Sequence, residues 1–184
     1  ILGLGPIGMA TARLAKGFGT TVLACNRTQR NGTEFVDRFY PLEDLHEFLA
    51  QCDFIAVCIA LTPQTLGLID QTAFSCMKPN AVIINVARGA IIDEDALFFA
   101  LRDKQIAGAV IDAWYHYPTP ENLNVPPSKH PFDLLSNVLM TPHSAIWTRG
   151  MISRRWTDIA ANIDALASGG ELTNVVRRPS KIRR

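Results

Sequence analysis

The chain has 184 residues, of which 48% are hydrophobic and 19% charged, and its formal net charge is +1. This composition is typical of one globular domain with at most a short appendage, and it excludes wholesale disorder. A nearly neutral chain gives no electrostatic reason for a nucleic-acid partner. No apolar run approaches the roughly 18 residues that span a bilayer. We therefore expect neither a nucleic-acid partner nor a membrane.

The four cysteines carry no metal-binding signature. Cys25, Cys52, Cys58 and Cys76 form neither a CxxC pair nor another ligand spacing. Three of them lie in or beside apolar runs, where a reduced cysteine behaves as a small hydrophobic residue. We therefore expect no metal site, and reduced cysteines favour a cytoplasmic location.

Short apolar runs alternate with amphipathic stretches along the chain. In chain order, the predicted strands are "ILG", "TTVLAC", "DFIAVCIAL", "AVIINV", "IAGAVID" and "NVLMT", and the predicted helices are "PIGMATARLAKGF", "PLEDLHEFLA", "DEDALFFALRDKQ" and 148–168. Continuous apolar runs are typical of strands buried on both faces. The alternation predicts an α/β fold, a Rossmann-type doubly wound parallel sheet with helices on both faces. The segment 114–137 is rich in Pro and Asn and predicts a long functional loop.

The segment "GLGPIG" places Gly3, Gly5 and Gly8 as GxGxxG between a strand end and a helix. This is the context of the dinucleotide fingerprint, whose glycines form the turn, admit the pyrophosphate and pack the helix on the strand. The pyrophosphate would lie beside Pro6 and Ile7, where free amides and the helix dipole favour an anion. The pattern therefore predicts dinucleotide binding.

The end of the next strand bears on the type of cofactor. An acidic residue that binds the ribose hydroxyls is expected about 20 residues after the glycines. Here the strand ends in Asn26, Arg27 and Thr28. Without a carboxylate there is no repulsion toward a 2′-phosphate, and Arg27 offers a charged donor. We favour NADP over NAD. The alternative is a polar turn with a solvent-facing arginine.

The chain then carries "LTPQT", "NVARG", "IDAW", "TPH" and, after the last helix, "TNVV". In this order the motifs resemble the D-isomer-specific 2-hydroxyacid dehydrogenases, specifically their coenzyme-binding domain, over nearly the whole chain. The resemblance implies that Arg88 binds the substrate carboxylate and that His143 is the acid or base. It also implies a homodimer. Asp112 would contact the nicotinamide carboxamide, and the cofactor groove would be bordered by Ala60, Thr65, Val86, Ala87, Arg88 and His143.

Reduction of a 2-keto acid explains these residue types. A guanidinium binds a carboxylate through two parallel hydrogen bonds and stays charged. An imidazole exchanges a proton near neutral pH. Both residues follow strand ends, where parallel sheets bind ligands.

One position departs from the family pattern D-V-F-x-x-E-P, whose glutamate hydrogen-bonds the catalytic histidine. Five residues after Asp112 stands Tyr117, which could orient an imidazole but supplies no negative charge. Formate dehydrogenases of the superfamily carry an uncharged glutamine there. Glu121 is an alternative source of a carboxylate. We expect His143 to lose its proton more readily than in relatives with the glutamate.

These observations predict an NAD(P)-dependent oxidoreductase that acts on a D-2-hydroxy or 2-keto acid. A non-catalytic, dinucleotide-sensing protein like the corepressors of the superfamily is an alternative, and so is a formate-type dehydrogenase. We expect a dinucleotide-binding domain over 1–146, a helix and return segment over 147–176 and a basic tail over 177–184. Only two residues precede the glycines, whereas strands have about five or six. We therefore expect the first strand to be truncated. The resemblance implies a smaller substrate domain built mostly from an N-terminal segment, which we expect to be absent here.

Overall fold

Parallel strands flanked by helices form the first of two compact units, residues 1–145, in a computed structural model that describes residues 1–29 and 33–175. The predicted basic tail, 177–184, lies outside the described residues. The strands are β1 Leu23–Asn26, β2 Arg38–Pro41, β3 Phe54–Val57, β4 Val82–Asn85, β5 Gly108–Ile111 and β6 Val138–Met140. The α-helices are α1 Pro6–Gly17, α2 Leu45–Gln51, α3 Gln71–Cys76, α4 Glu94–Arg102 and α5 Met151–Ser168. Short 3₁₀ turns cover Leu42–Asp44, Gly89–Ile91 and Phe132–Leu134.

The strands pair in parallel in the order β2-β1 and β3-β4-β5-β6, and Leu2 joins the two groups. Leu2 forms bridges to Cys25 of β1 and to Val57 of β3. Its amide donates to the carbonyl of Ala56 at 2.9 Å, and its carbonyl accepts from the amide of Cys58 at 2.8 Å. The strand order therefore reverses at Leu2, as in a doubly wound sheet. The predicted Rossmann-type fold is confirmed.

Apolar side chains pack on both faces of this sheet because successive strand residues point to opposite sides. Cys25 of β1 belongs to the larger core with α2, α3 and α4. Its neighbour Ala24 belongs to a second core with Ala12 of α1. The largest fully buried side chains of the first core include Phe48, Phe74 and Leu97. Helices thus cover both faces, and the loops at the carboxyl ends of the strands remain free to form a site.

Aspartate caps fix two of the helix starts. The Asp70 carboxylate accepts from the Ala73 amide at 2.9 Å, and the Asp93 carboxylate accepts from the Ala96 amide at 2.8 Å. Each cap satisfies an amide that has no partner within its helix. Asp93, predicted in the first turn, is thus the residue that caps α4.

Some elements differ from the predictions. Pro41 was predicted to open a helix, but it ends β2, and a 3₁₀ turn separates it from α2. The strand β2 and the helix α3 were not predicted. Both are short, and β2 begins with an exposed arginine, so neither shows the long apolar pattern used for prediction.

The second unit begins at residue 146 and contains α5. The helix is followed by Gly169 in the left-handed region, with φ at +70°. The side chain of Asn162 holds the return segment, because its oxygen accepts from the amide of Thr173 at 2.9 Å. No helix in the described parts of the chain is long and apolar enough to cross a membrane.

Gly89 provides a test of how the fold positions the loop after β4. A Cβ at this buried residue would overlap the carbonyl oxygen of Trp114, which is backbone and cannot move aside. We expect Gly89→Ala to lower the free energy of unfolding by about 1–3 kcal/mol, measured by chemical denaturation. Gly17→Ala is the control, since a Cβ there meets nothing within 4 Å. Equal stability of the two variants would contradict the close approach at Gly89.

Candidate functional site

A groove with a volume of about 650 Å³ lies at the carboxyl ends of the strands. Most of the predicted cofactor residues line it: Gly3, Gly5, Pro6, Ile7, Asn26, Arg27, Thr28, Ala60, Thr65, Val86, Ala87 and Arg88. Its wall also includes residues that were not predicted: Leu42, Cys58, Ile59, Leu61, Thr62 and Gln64. Gly8, Asp112 and His143 do not line it. A cavity of about 600 Å³ near Val22 and Phe54 lies at the other ends of β1 and β3, away from the edge where such sheets bind ligands.

Glycine is required at the three motif positions for different structural reasons. Gly3 has φ at +98°, and a Cβ there would lie 2.6 Å from the Ile59 Cα. A Cβ on Gly8 would overlap the carbonyl oxygen of Gly3. A Cβ on Gly5 would meet nothing within 4 Å, although this residue is the N-cap of α1 and lines the groove. Packing therefore does not explain Gly5, whereas room for a ligand at the helix N-terminus does.

The start of α1 suits an anion. The first amides of a helix have no partner within it, and the first turn of α1 contains no acidic residue. Pro6 occupies the first helical position, and the amide of Ile7 follows it beside the groove. The glycine turn and this helix end therefore fit the pyrophosphate of a dinucleotide.

The end of β1 combines a structural amide with a free cation. The Asn26 side chain accepts from the Leu4 amide at 3.4 Å and donates to the Thr28 carbonyl at 2.8 Å. Asn26 thus ties the glycine turn to the strand end. Arg27 is exposed and makes no ion pair with any described residue. Among the described residues, this edge therefore presents a guanidinium and no carboxylate to the groove.

Thr65 shapes the opposite wall. Its buried hydroxyl donates to the Ala60 carbonyl at 2.7 Å and accepts from the Thr62 amide at 2.8 Å. These bonds close the loop 60–65 that follows β3. Thr65 therefore acts here by holding the loop, and its hydroxyl is already paired.

A buried amide holds the turn that carries Arg88. The Asn85 side chain donates to the Arg88 carbonyl at 3.0 Å and accepts from the Ala87 amide at 3.1 Å. The Arg88 guanidinium is exposed and donates to the Ala87 carbonyl at 2.6 Å. It has no acidic partner among the described residues. The turn thus leaves a positive charge at the rim of the groove. The role of Asn85 was missed, although its place in "NVARG" was visible.

His143 lies in a strained turn after β6. Its φ is +55°, in the left-handed region that non-glycine residues adopt rarely. The buried carboxylate of Asp112, directly after β5, holds this turn. It accepts from the Thr141 hydroxyl at 2.6 Å, from the Ser144 amide at 2.8 Å and from the Ala145 amide at 3.2 Å. Asp112 thus fixes the backbone on both sides of His143.

These bonds also set the acidity of Asp112. Burial acts to raise the pKa of this carboxyl, but the hydrogen bonds from Thr141, Ser144 and Ala145, with His143 nearby, outweigh it. The pKa of Asp112 therefore lies below its ordinary value. The ionised form is the one that the turn requires.

Tyr117 contacts His143 but does not hydrogen-bond it. The two ring centroids lie 5.2 Å apart, with the planes tilted by 41°. The Tyr117 phenol oxygen instead accepts from the Trp114 amide at 2.8 Å. Glu121, the predicted alternative, forms no hydrogen bond or ion pair with His143 in the described chain.

The loop that begins at Trp114 is fixed to α4 near its other end. The Ser128 hydroxyl donates to the Glu94 carboxylate at 2.7 Å. The His130 ring lies 2.6 Å from the Asp95 carboxylate and stacks on Phe98 at 4.4 Å between centroids. His130 is therefore a structural residue of the loop.

No group of three or more His, Cys, Asp or Glu side chains suited to a metal ion occurs in residues 1–29 and 33–175. The chemistry of the region rests on the groove, the guanidinium groups of Arg27 and Arg88 and the imidazole of His143.

Comparison with known proteins agrees with this geometry. Residues 1–145 match the family model of the NAD-binding domain of D-isomer specific 2-hydroxyacid dehydrogenases. The chain belongs to this family. A glyoxylate reductase from Pyrococcus horikoshii is 35% identical over 180 residues, which cover 97% of this chain and 51% of that protein.

Solved structures of family members show the same fold. A D-isomer specific 2-hydroxyacid dehydrogenase from Xanthobacter autotrophicus Py2, in complex with NADPH and MES, is 34% identical with a TM-score of 0.79. The match covers 96% of this chain and 69% of that one. The NAD-complexed enzyme from Lactobacillus delbrueckii ssp. bulgaricus is 27% identical with a TM-score of 0.85, covering 96% of this chain and 54% of that one. The chain spans about half the length of the glyoxylate reductase.

Asp112→Asn tests the carboxylate that holds the turn of His143. Removing the charge leaves three donors without their anionic acceptor, and we expect a loss of about 1–3 kcal/mol in the free energy of unfolding at neutral pH. A carboxyl with a lowered folded-state pKa stabilises above its unfolded value, about 3.9, and loses that contribution as pH falls through the folded-state value. The difference between wild type and variant should therefore be constant near pH 7 and shrink below about pH 4. Denaturation at several pH values measures it, and a difference that grows at acid pH would contradict the role.

Proposed function

We propose that the chain is the cofactor-binding part of an NAD(P)-dependent oxidoreductase that interconverts a D-2-hydroxy acid and its 2-keto acid. The observation that carries this proposal is the exposed Arg88 guanidinium at the rim of the groove, without an acidic partner among the described residues. A planar guanidinium matches a carboxylate through two parallel hydrogen bonds. Arg88 would thus bind the carboxylate of the acid and draw electron density from its C2 oxygen.

His143 would exchange the proton on that oxygen. In the direction of reduction the oxygen at C2 gains negative charge, and the imidazolium of His143 donates a proton to it. In the direction of oxidation the neutral ring accepts that proton. Arg88 and His143 follow β4 and β6, which flank β5 at one edge of the sheet. This placement supports their joint action on one small acid.

The groove would hold the cofactor through the glycine turn and the start of α1. Gly5 leaves space for the pyrophosphate, and the residues after β1 lie where the adenosine ribose would bind. The chemistry that the cofactor supplies when bound is hydride transfer to or from C2 of the acid. The protein groups orient the reactants and handle the proton.

We further propose a preference for NADP over NAD, supported by Arg27 and the absence of a carboxylate at Asn26. NADPH and NADH should both bind less tightly to Gly5→Ala, by tenfold or more, because the added methyl occupies the pyrophosphate space. Arg27→Leu should weaken NADPH alone, by roughly tenfold, since a hydrogen bond to a charged group contributes about 1.5–3 kcal/mol. Calorimetric titration of the chain measures both affinities.

Gly17→Ala serves as the control for Gly5→Ala, because neither added methyl group would meet a protein atom within 4 Å. Unchanged thermal stability of Gly5→Ala separates lost binding from lost folding. Equal losses of NADPH and NADH affinity in Arg27→Leu would refute the preference.

Substitution of Arg88 tests the reaction. We expect Arg88→Ala to lower kcat/KM for glyoxylate and hydroxypyruvate by roughly 10- to 100-fold, with Arg88→Lys intermediate because it keeps the charge but not the paired geometry. Arg102→Ala, which removes a surface arginine paired with Asp103, is the control. Steady-state reduction assays measure kcat/KM. They are run on a polypeptide that contains this chain and has the full length of the family's dehydrogenases.

Each outcome of these assays separates the candidate functions. Reduction of keto acids that depends on Arg88 supports the dehydrogenase. Tight cofactor binding without turnover would favour the corepressor-like alternative, and oxidation of formate would favour the formate-type enzyme.

The remaining proposals concern assembly and location. We propose a homodimer, as the resemblance to the family implies, and a cytoplasmic enzyme. All four cysteines are free thiols in the described structure, which suits a reducing compartment. Sedimentation velocity measures the assembly directly.

A further inference from the structure

The His143 ring faces an aromatic ring at the position where the family pattern has a glutamate. The Tyr117 and His143 centroids are 5.2 Å apart at 41°, within the range of favourable aromatic contacts. No described residue forms a hydrogen bond or ion pair with the ring nitrogens of His143. The contact with Tyr117 is therefore an interaction through which the protein can orient this ring.

Tyr117 is itself held at its far end. Its phenol oxygen accepts from the Trp114 amide at 2.8 Å. The indole of Trp114 is buried, and its nitrogen donates to the Thr141 carbonyl at 2.9 Å. Thr141 also donates its hydroxyl to Asp112 at 2.6 Å. The series of contacts thus starts and ends at the turn of His143. Tyr117 contacts the ring of His143, and Trp114 and Asp112 bind the backbone and side chain of Thr141 in the same turn.

The Asp112 carboxylate, which holds this turn, is already hydrogen-bonded. Both oxygens of the Asp112 carboxylate accept from the turn, one from Thr141, Ser144 and Ala145 and the other from Ala145. Tyr117 also faces the ring, and its oxygen accepts from the Trp114 amide. Among the described residues, the ring of His143 therefore has the Tyr117 ring as a steric support and no carboxylate hydrogen-bonded to it.

We propose that Tyr117 is a positioning residue that orients the imidazole of His143 through ring contact, with its phenol oxygen tethered to the backbone at Trp114, and so replaces the holding role of a glutamate without its charge. This inference rests on the proposed function only for its use in catalysis. The geometry of the pair does not depend on turnover. Its consequence is an imidazole whose ring is oriented at this position by a neutral side chain.

NMR of the His143 ring in the folded chain tests the proposal without any substrate. In wild type we expect nuclear Overhauser contacts between the two rings and a ring-current shift of the His143 Hε1 proton. Tyr117→Phe keeps the ring and should keep the shift, with increased ring mobility because the tether to Trp114 is lost. Tyr117→Leu removes the ring and should abolish the shift.

Tyr117→Glu separates positioning from mere packing. A carboxylate beside the imidazole stabilises its protonated form, and we expect the midpoint of the His143 titration to move to higher pH by roughly one unit or more. Tyr117→Phe should leave this midpoint unchanged, because the neutral phenol supplies no charge. Tyr115→Phe is the matched control, since the Tyr115 hydroxyl is buried without a protein partner and its ring packs on the core.

The proposal is overturned if Tyr117→Leu leaves the shift and mobility of the His143 ring as in wild type, or if Tyr117→Glu leaves the titration unchanged. If Tyr117→Leu fails to fold, the contacts in wild type and the comparison of Tyr117→Phe with Tyr115→Phe decide the question. A positive NMR result without keto-acid reduction would reject the proposed function and leave the pairing of Tyr117 with His143 intact.

Discussion

The buried carboxylate of Asp112 is the constraint on which the architecture of the site depends. It is the one charged side chain that is buried among the described residues, and it lies where β5 ends. A buried charge is tolerated only when it is fully hydrogen-bonded, and here the donors come from the segment after β6. The bonds that satisfy the charge therefore also hold both sides of the turn in which His143 has φ at +55°. Stability of the strand edge and placement of the imidazole follow from the same contacts.

The sequence predicted the parts of the structure that depend on long apolar runs and on backbone geometry. The strands β3, β4 and β5 and the helix α4 follow from continuous hydrophobic runs and from acidic residues at a helix start. The strand β2 and the helix α3 escaped prediction because both are short and depend on their neighbours. β2 forms because the β1 edge is available for pairing, with Cys25 opposite Tyr40. Such dependence on a partner leaves little trace in local sequence.

In the candidate site, too, the sequence motifs predicted which residues lie at the strand ends, but not the contacts that depend on tertiary packing. The residues that line the groove could be named because the glycine motif and "NVARG" fix their place at strand ends. The hydrogen bonds of Tyr117 could not be predicted, because its phenol oxygen could equally have reached the imidazole. The tether to Trp114 depends on how the loop lies between the end of β5 and α4, where Ser128 and His130 hold it. The hydrogen-bond partner of Tyr117 thus depends on the conformation of the loop in the folded chain, which residue spacing does not predict.

The glycine motif alone is weak evidence for dinucleotide binding, and the structure makes that evidence stronger. Gly3 is required by a positive φ and by the approach of Ile59, and Gly8 is required by the carbonyl of Gly3. Both would be needed in a tight strand-to-helix turn that bound nothing. Gly5 has neither reason, since a side chain there would meet open space within the protein. A position where the fold accepts a side chain, at a helix N-terminus that lacks acidic residues, is explained by an anionic ligand that needs the space. Gly5, the middle glycine, is therefore the residue of the motif that argues for ligand binding.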